Sequence, residues 1–84
     1  MTITDEIRDR LQAAFDPQEL DVVDDSESHR GHAGYRDGGE SHFNVRIRAK
    51  AFAGQSRVAR HRAVHKALGD IVPRIHALAL DIDA

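Results

Sequence analysis

The sequence predicts a two-layer α+β domain with the element order helix, strand, strand, helix, strand (αββαβ) and a three-stranded mixed sheet. Two stretches place apolar residues at helical spacing, and three shorter stretches alternate apolar with polar residues as half-buried strands do. A proline follows each helical stretch, at Pro17 and Pro73. Because 84 residues support only one modest core, we expect a single domain over 1–84.

The first predicted helix begins with Thr4 as its N-cap and ends near Phe15. Asp5 and Glu6 then lie in its first turn, where negative charge is favourable. Pro17 disfavours helical geometry in the residue before it, which ends the helix. Its apolar stripe consists of Ile3, Ile7, Leu11, Ala14 and Phe15.

Two strands follow this helix. Residues Leu20 to Asp24 predict a short strand with Leu20 and Val22 facing the core. A second strand shows the clearest alternation in the chain, with inward positions at Phe43, Val45 and Ile47. We expect these two strands to pair as a hairpin.

A polar, glycine-rich loop connects the two strands over residues 25–40. Loops longer than about 12–15 residues are uncommon in small domains and are often functional. His29 and His32 lie in it with little packing to do, so either side chain is free to reach a ligand.

Ser56 caps a second predicted helix, which Gly69 kinks or breaks and Pro73 must end. Its expected buried stripe is Val58, His61, Val64 or His65, Leu68, and Ile71 or Val72. The last strand alternates His76, Leu78, Leu80 and Ile82 with smaller or polar residues. A helix between the second and third strands predicts a right-handed crossover and a parallel pair.

Composition excludes several classes of protein. The chain has no cysteine, and therefore neither a disulfide nor a thiolate metal site of its own. No apolar run approaches the roughly 20 residues that cross a membrane, and the N-terminus lacks the pattern of a secretory signal. We expect a cytoplasmic protein with no membrane partner, whose isolated form is a monomer or a weak homodimer.

Charge is segregated along the chain. Between Ser41 and Gly69 lie seven of the 12 Lys and Arg residues and none of the 14 acids. Such a segment favours an anionic partner, or it only makes one exposed face soluble. The residues expected to contact an anionic partner are Arg57, Arg60, Arg62 and Lys66.

The chain holds six histidines, most with ordinary roles expected. His42 should hydrogen-bond at the start of its strand, His61 should be partly buried, and His65 should lie on the helix surface. A His61–His65 pair at i,i+4 spacing binds zinc only with further ligands, and we do not expect zinc there. His76 stands at the start of the last strand, where it is either a hydrogen-bonded strand-end residue or a functional one.

Several motifs carry a resemblance to a known family. They stand at Phe52-Ala-Gly-Gln-Ser56, Arg60-His-Arg-Ala-Val64 and His76-Ala-Leu78, with shorter matches at Gly31-His32 and Glu40-Ser-His-Phe43. Together they span nearly the whole chain, which resembles the BolA family. The resemblance implies a fold similar to a class II KH domain, with a short extra helical turn around Ser56.

The family resemblance also implies a partner and a cofactor. Members pair with monothiol glutaredoxins around a bridging [2Fe–2S] cluster, in which a glutaredoxin cysteine and a glutathione thiolate hold one iron. The other iron takes one histidine matched by His76 and one loop ligand, for which this sequence offers His32, with His29 as the substitute. The implied function is accessory or regulatory work in iron–sulfur cluster handling, with no cofactor in the isolated chain.

A second theme of the family is DNA binding by regulators of transcription, stress response and cell morphology. The segment from Arg57 to Lys66 could lie against phosphates. A KH domain grips nucleic acid through a GxxG loop, whereas the corresponding turn here, Gly54-Gln-Ser-Arg57, lacks the second glycine. KH-style RNA binding is therefore not expected. No catalytic constellation is recognisable, so we do not expect an enzyme.

Overall fold

The structure is a computed structural model that describes residues 2–25 and 41–84. Two α-helices and three strands follow the predicted order, and the strands form one sheet in the order β1-β2-β3. The elements are α1 (Ile3–Phe15), β1 (Glu19–Asp24), β2 (His42–Arg48), a 3₁₀ turn (Lys50–Phe52), α2 (Arg57–Leu68), a second 3₁₀ segment (Gly69–Arg74) and β3 (Ala77–Asp83).

The sheet is mixed, as predicted. β1 runs antiparallel to β2, with Val22 opposite Val45, whereas β3 runs parallel to β2, with Leu80 opposite Val45. Side chains alternate between the two faces of a strand, so one register places the apolar residues of all three strands on the face that the helices cover. The other face carries the polar positions, among them Asn44 and Arg46, which are exposed. The predicted α+β fold is therefore confirmed.

The N-cap of α1 differs from the prediction. Thr2, rather than Thr4, caps the helix: its hydroxyl accepts the Asp5 N–H at 3.1 Å, and the Asp5 carboxylate accepts the Thr2 N–H at 3.4 Å. This reciprocal capping box satisfies two N–H groups that a helix end otherwise leaves unpaired. Thr4 lies inside the helix.

The start of α2 was predicted correctly, because the Ser56 hydroxyl accepts the Ala59 N–H at 3.1 Å. Two details were wrong. The extra helical turn lies at Lys50–Phe52 instead of around Ser56, and Val58 is 59% exposed instead of buried. Val58 lies on the outer surface of α2 beside Arg62 and His65, on a different side of the helix from the buried Val64 and Leu68.

Gly69 ends α2 with φ of 54° and ψ of −120°, a backbone conformation that side chains other than glycine rarely adopt. The chain then continues as the 3₁₀ segment, which contains Pro73. The sequence left Ile71 and Val72 as alternatives for the last buried position of the stripe. In the structure Ile71 is fully buried and Val72 only partly.

The core lies between the sheet and the two helices. Phe15 of α1 and Phe52 of the 3₁₀ turn are in ring contact at one end, with centroids 4.8 Å apart. The buried apolar residues are Ile3, Ile7, Leu11, Val22, Phe43, Val45, Ile47, Ala49, Phe52, Val64, Leu68, Ile71 and Ile75. Within the described ranges, neither helix is long and apolar enough to cross a membrane.

Ion pairs tie α1 to the 3₁₀ segment that precedes β3. Arg74 donates two hydrogen bonds of 3.0 Å to the Glu6 carboxylate, and Arg10 binds both Asp70 and the Leu68 carbonyl. The bond from Arg74 holds the pKa of Glu6 below its ordinary value. These pairs fix the route by which the chain leaves α2 and reaches β3.

We predict that Val64→Ala lowers the free energy of unfolding by about 2 kcal/mol, because it removes two buried methyl groups and leaves a cavity. Val58→Ala is the matched control on the same helix and should stay within about 0.5 kcal/mol of the parent chain. Urea denaturation followed by circular dichroism measures both. Equal losses for the two variants would contradict the assignment of Val58 to the surface.

Candidate functional site

The candidate site lies at the end of the sheet where strands β2 and β3 begin. In the parallel register His42 is opposite Ala77, so His76, the residue before β3, lies beside the first residue of β2. Parallel strands start at the same end of a sheet. His42 and His76 are therefore brought together although α2 separates them in sequence.

Ser41 connects the strands at this end of the sheet through its backbone carbonyl and its hydroxyl. Its buried backbone carbonyl accepts two hydrogen bonds, from the His76 N–H at 2.8 Å and from the Ala77 N–H at 3.1 Å. Its hydroxyl shares a hydrogen bond of 2.8 Å with Nδ1 of His42. The carbonyl of His42 accepts the Asp25 N–H at 2.8 Å, which attaches the end of β1 to the same point. The backbone at His76 is consequently fixed.

The two imidazoles differ in access. His42 is 5% exposed, whereas the His76 residue is exposed, and their ring centroids are 5.1 Å apart with planes inclined by 54°. The prediction that His42 hydrogen-bonds at the start of its strand is confirmed. The contact between the two rings was not predicted, although the parallel pairing and the position of each histidine at a strand start together pointed to it.

The accessible side chain of His76 has the chemistry of a metal ligand. An imidazole nitrogen is a ligand for iron and other transition metals, and this one is accessible on a fixed backbone. Within residues 2–25 and 41–84, no three His, Cys, Asp or Glu side chains group as metal ligands. Any metal bound at His76 therefore takes further ligands from outside the described residues. His29 and His32, the predicted loop ligands, lie outside the described residues.

The outer surface of α2 carries the other two described histidines. His61 is partly buried and His65 exposed, as predicted. Both line a shallow depression with Arg57, Val58 and Arg62. The surface is basic except for the exposed valine.

The four predicted anion-contacting residues separate into two groups. Arg57, Arg62 and Lys66 are exposed. Arg60 instead points toward β3, donating to the Phe52 carbonyl at 3.1 Å and the Asp83 carboxylate at 3.2 Å, with a longer contact of 3.5 Å to the Ile82 carbonyl. The structure therefore places Arg60 as a link between α2 and the end of β3. Sequence reasoning missed this link, since residue spacing alone does not show which carbonyl groups an arginine will reach.

Asp83 is the anionic partner in this link. A hydrogen bond from the Ala84 N–H, followed by the charge of Arg60, holds the pKa of Asp83 below its ordinary value. Arg48 similarly pairs with Asp81 at 3.1 Å on the neighbouring strands. Both acids of β3 are thus already neutralised by arginines of this chain.

Comparison with known proteins identifies close relatives. A family model described as BolA-like protein matches residues 11–84. A Sinorhizobium protein described only by its position in the cobS 5′ region is 47% identical over 83 residues, covering 96% of this chain and 89% of that protein. The Escherichia coli DNA-binding transcriptional regulator BolA is 40% identical over 81 residues, covering 95% of this chain and 73% of that protein. This chain also matches 21% of the length of SufE-like protein 1 of Arabidopsis thaliana, with 46% identity.

Solved structures agree with the fold. BolA1 from Arabidopsis thaliana superimposes with a TM-score of 0.85 and 34% identity, covering 99% of this chain and 92% of that one. The BolA domain of SufE1 from the same plant gives a TM-score of 0.82 with 41% identity, covering 95% of this chain and 88% of that one.

We predict that Arg60→Ala lowers the free energy of unfolding by about 1–2 kcal/mol, because it removes hydrogen bonds that join α2 to β3 and to the 3₁₀ turn. Arg62→Ala, two residues away and exposed, should change it by less than about 0.5 kcal/mol. Thermal and urea denaturation of both variants measure the difference. Equal stability of the two variants would show that Arg60 is not a structural link.

Proposed function

The chain belongs to the family of BolA-like proteins, and on this basis we propose that it is an accessory or regulatory protein of iron–sulfur cluster handling. In this proposal it binds a monothiol glutaredoxin in the cytoplasm and shares a bridging [2Fe–2S] cluster with that partner and glutathione. The observation that carries the proposal is the exposed imidazole of His76 on a backbone held by the Ser41 carbonyl.

The chemistry of the chain suits a shared cluster. It has no cysteine, so a partner must supply any thiolate ligands. His76 would be the ligand from the described part of the chain, and His32, or His29 in its place, would be the second. Replacing two thiolates on one iron by two imidazoles raises the reduction potential of a [2Fe–2S] cluster.

The residues around His76 prepare it for this role. The two hydrogen bonds to the Ser41 carbonyl fix the backbone at the start of β3. The buried His42 ring then limits the directions that the His76 side chain can take on that side. A ligand with few orientations to lose binds at a lower entropic cost. No catalytic turnover forms part of the proposal.

A second candidate function is DNA binding, and one observation favours it. Arg57, Arg62 and Lys66 are exposed on one helix that carries no acidic residue, and the Escherichia coli relative is named a DNA-binding transcriptional regulator. Lysine and arginine side chains bind phosphates whatever the base sequence. The candidate contact surface consists of these three residues without Arg60, which is occupied within the chain.

We predict that His76→Ala abolishes the shared cluster. Reconstitution with a monothiol glutaredoxin, glutathione, iron and sulfide should give the parent chain a visible circular dichroism spectrum distinct from that of glutaredoxin alone. The variant should give only the glutaredoxin spectrum, because one iron has lost an imidazole ligand. Near-UV and visible circular dichroism measure the change.

His65→Ala is the matched control, since it removes an exposed histidine on α2 and should retain the distinct spectrum. Far-UV circular dichroism verifies that both variants are folded. A native-like cluster spectrum for His76→Ala would reject His76 as a ligand. The absence of any distinct spectrum with the parent chain would reject the cluster proposal itself.

For DNA binding we predict a steep salt dependence that three substitutions reduce. Neutralising Arg57, Arg62 and Lys66 to glutamine should lower the slope of log K against log [salt] by up to about 3, roughly one per lost phosphate contact. Fluorescence anisotropy with a labelled duplex at several salt concentrations measures it. His76→Ala should bind DNA as the parent chain does, and an unchanged slope in the triple variant would contradict the assignment.

A further inference from the structure

The outer edge of β3 is unpaired within the described residues. The described strands have the order β1-β2-β3, so β3 has a neighbouring described strand on one side only. Ala77 donates its N–H to Ser41, and Asp83 accepts from the Ala49 N–H. Backbone groups alternate in direction along a strand. The N–H and C=O groups of Leu78 and Leu80 must therefore point away from β2, where no described residue forms a hydrogen bond with them.

The side chains along this edge are incompletely covered. Leu78, Leu80 and Ile82 pack against the core but are only partly buried, and Ala77 and Ala79 are exposed. Residues 77–80 of this outer strand also carry no charged side chain. Natural edge strands are commonly protected from further pairing by charged side chains or proline.

The opposite edge of the sheet is protected in this way. β1 carries three acids in six residues: Glu19, Asp21 and Asp24. Glu19 also holds Arg46 across the open face at 2.7 Å. Both outer strands have backbone groups that point away from the sheet. Of the described strands, β3 is the one that combines them with four consecutive uncharged residues, 77–80.

Charge on the flanking helix indicates what kind of strand could pair there. A groove between α2 and β3 is lined by Arg57, Arg60, His61, Leu80, Asp81 and Ile82. Asp81 and Asp83 are already paired with Arg48 and Arg60. Arg57 remains exposed beside the groove, and Arg62 is exposed on the adjoining surface. The edge is therefore bordered by positive charge that no described acid neutralises.

A second copy of this chain is a poor occupant. Antiparallel pairing of two β3 strands would place both α2 helices on the same face of the joined sheet. Their basic sides would then face each other across the new pair. Each α2 has no acid and carries exposed Arg57 beside this edge, so this arrangement brings like charges together, which is destabilising.

We propose that the β3 edge docks an extended, acidic segment of a partner protein, which joins the sheet as a fourth strand. Backbone hydrogen bonds to Leu78 and Leu80 would provide the pairing, as in other cases of strand addition. The added strand would cover the partly buried side chains of β3. Carboxylates on its helix-side positions would meet Arg57, which lines the groove beside β3.

Amide hydrogen exchange of the isolated chain, followed by NMR, tests this proposal. The free chain should show fast exchange at Leu78 and Leu80 and slow exchange at Ala79 and Asp81. The probe is a capped octapeptide of four threonine–glutamate repeats. At saturation it should slow exchange at Leu78 and Leu80 at least about tenfold. A peptide of four threonine–lysine repeats should have no effect.

Arg57→Glu should weaken peptide binding about tenfold or more, because it replaces an attraction by a repulsion. Lys50→Glu is the control with the same change of charge at an exposed residue outside the groove, and it should weaken binding less than about threefold. Titrations followed by chemical shift changes give both dissociation constants.

Three results would overturn the proposal. The first is unchanged exchange at Leu78 and Leu80 with millimolar acidic peptide. The second is an equal loss of binding in Arg57→Glu and Lys50→Glu, which would indicate attraction by overall charge. The third is protection of Leu78 and Leu80 that rises with protein concentration without peptide, which would show that a second copy occupies the edge. None of these measurements involves a cluster, so the result is independent of the role proposed for His76.

Discussion

The parallel pairing of β3 with β2 is the constraint on which the remaining features depend. The Ser41 carbonyl sets its start by accepting two N–H groups from the chain that enters β3. This register places the apolar residues of both strands on the helix-covered face and makes α2 cross over that face. It also brings His76 to His42 and, within the described part of the chain, leaves the outer edge of β3 unpaired. A shift of the register by one residue would turn the leucines of β3 outward and separate the two histidines.

The two ends of β3 consequently carry different functional groups. The start of β3 carries an accessible imidazole beside a buried one, whereas its end is fixed by Arg60 and Asp83. Between them, the basic surface of α2 faces solvent next to the strand edge. The cysteine-free chain thus has an accessible imidazole, a cationic helix and a strand edge that no described residue pairs with. All three are suited to contacts with other molecules.

Sequence periodicity was sufficient for the fold, because burial on one face imposes the alternation of β2 and β3 and the helical stripe of α1. It was insufficient where position along an element decides exposure. Val58 and the buried Val64 are six residues apart and so lie on different sides of the helix, and Val58 is exposed on the outer surface of α2. Thr2 and Thr4 are both good cap residues, and only Thr2 has an acid three residues later to complete the box. The role of Arg60 and the contact of His42 with His76 depend on tertiary structure, which local patterns do not contain.

The bond between Ser41 and the chain at His76 joins segments that lie on either side of α2 in sequence. Contacts between distant segments form late and slow the folding of small domains, because a long loop must close before they contribute. His76 therefore acquires its position only when the helical crossover is complete. A molecule that binds His76 through this fixed position binds the folded chain more tightly than the unfolded one. Its binding raises the melting temperature of the whole domain, and the added stability grows with the logarithm of the ratio of ligand concentration to dissociation constant.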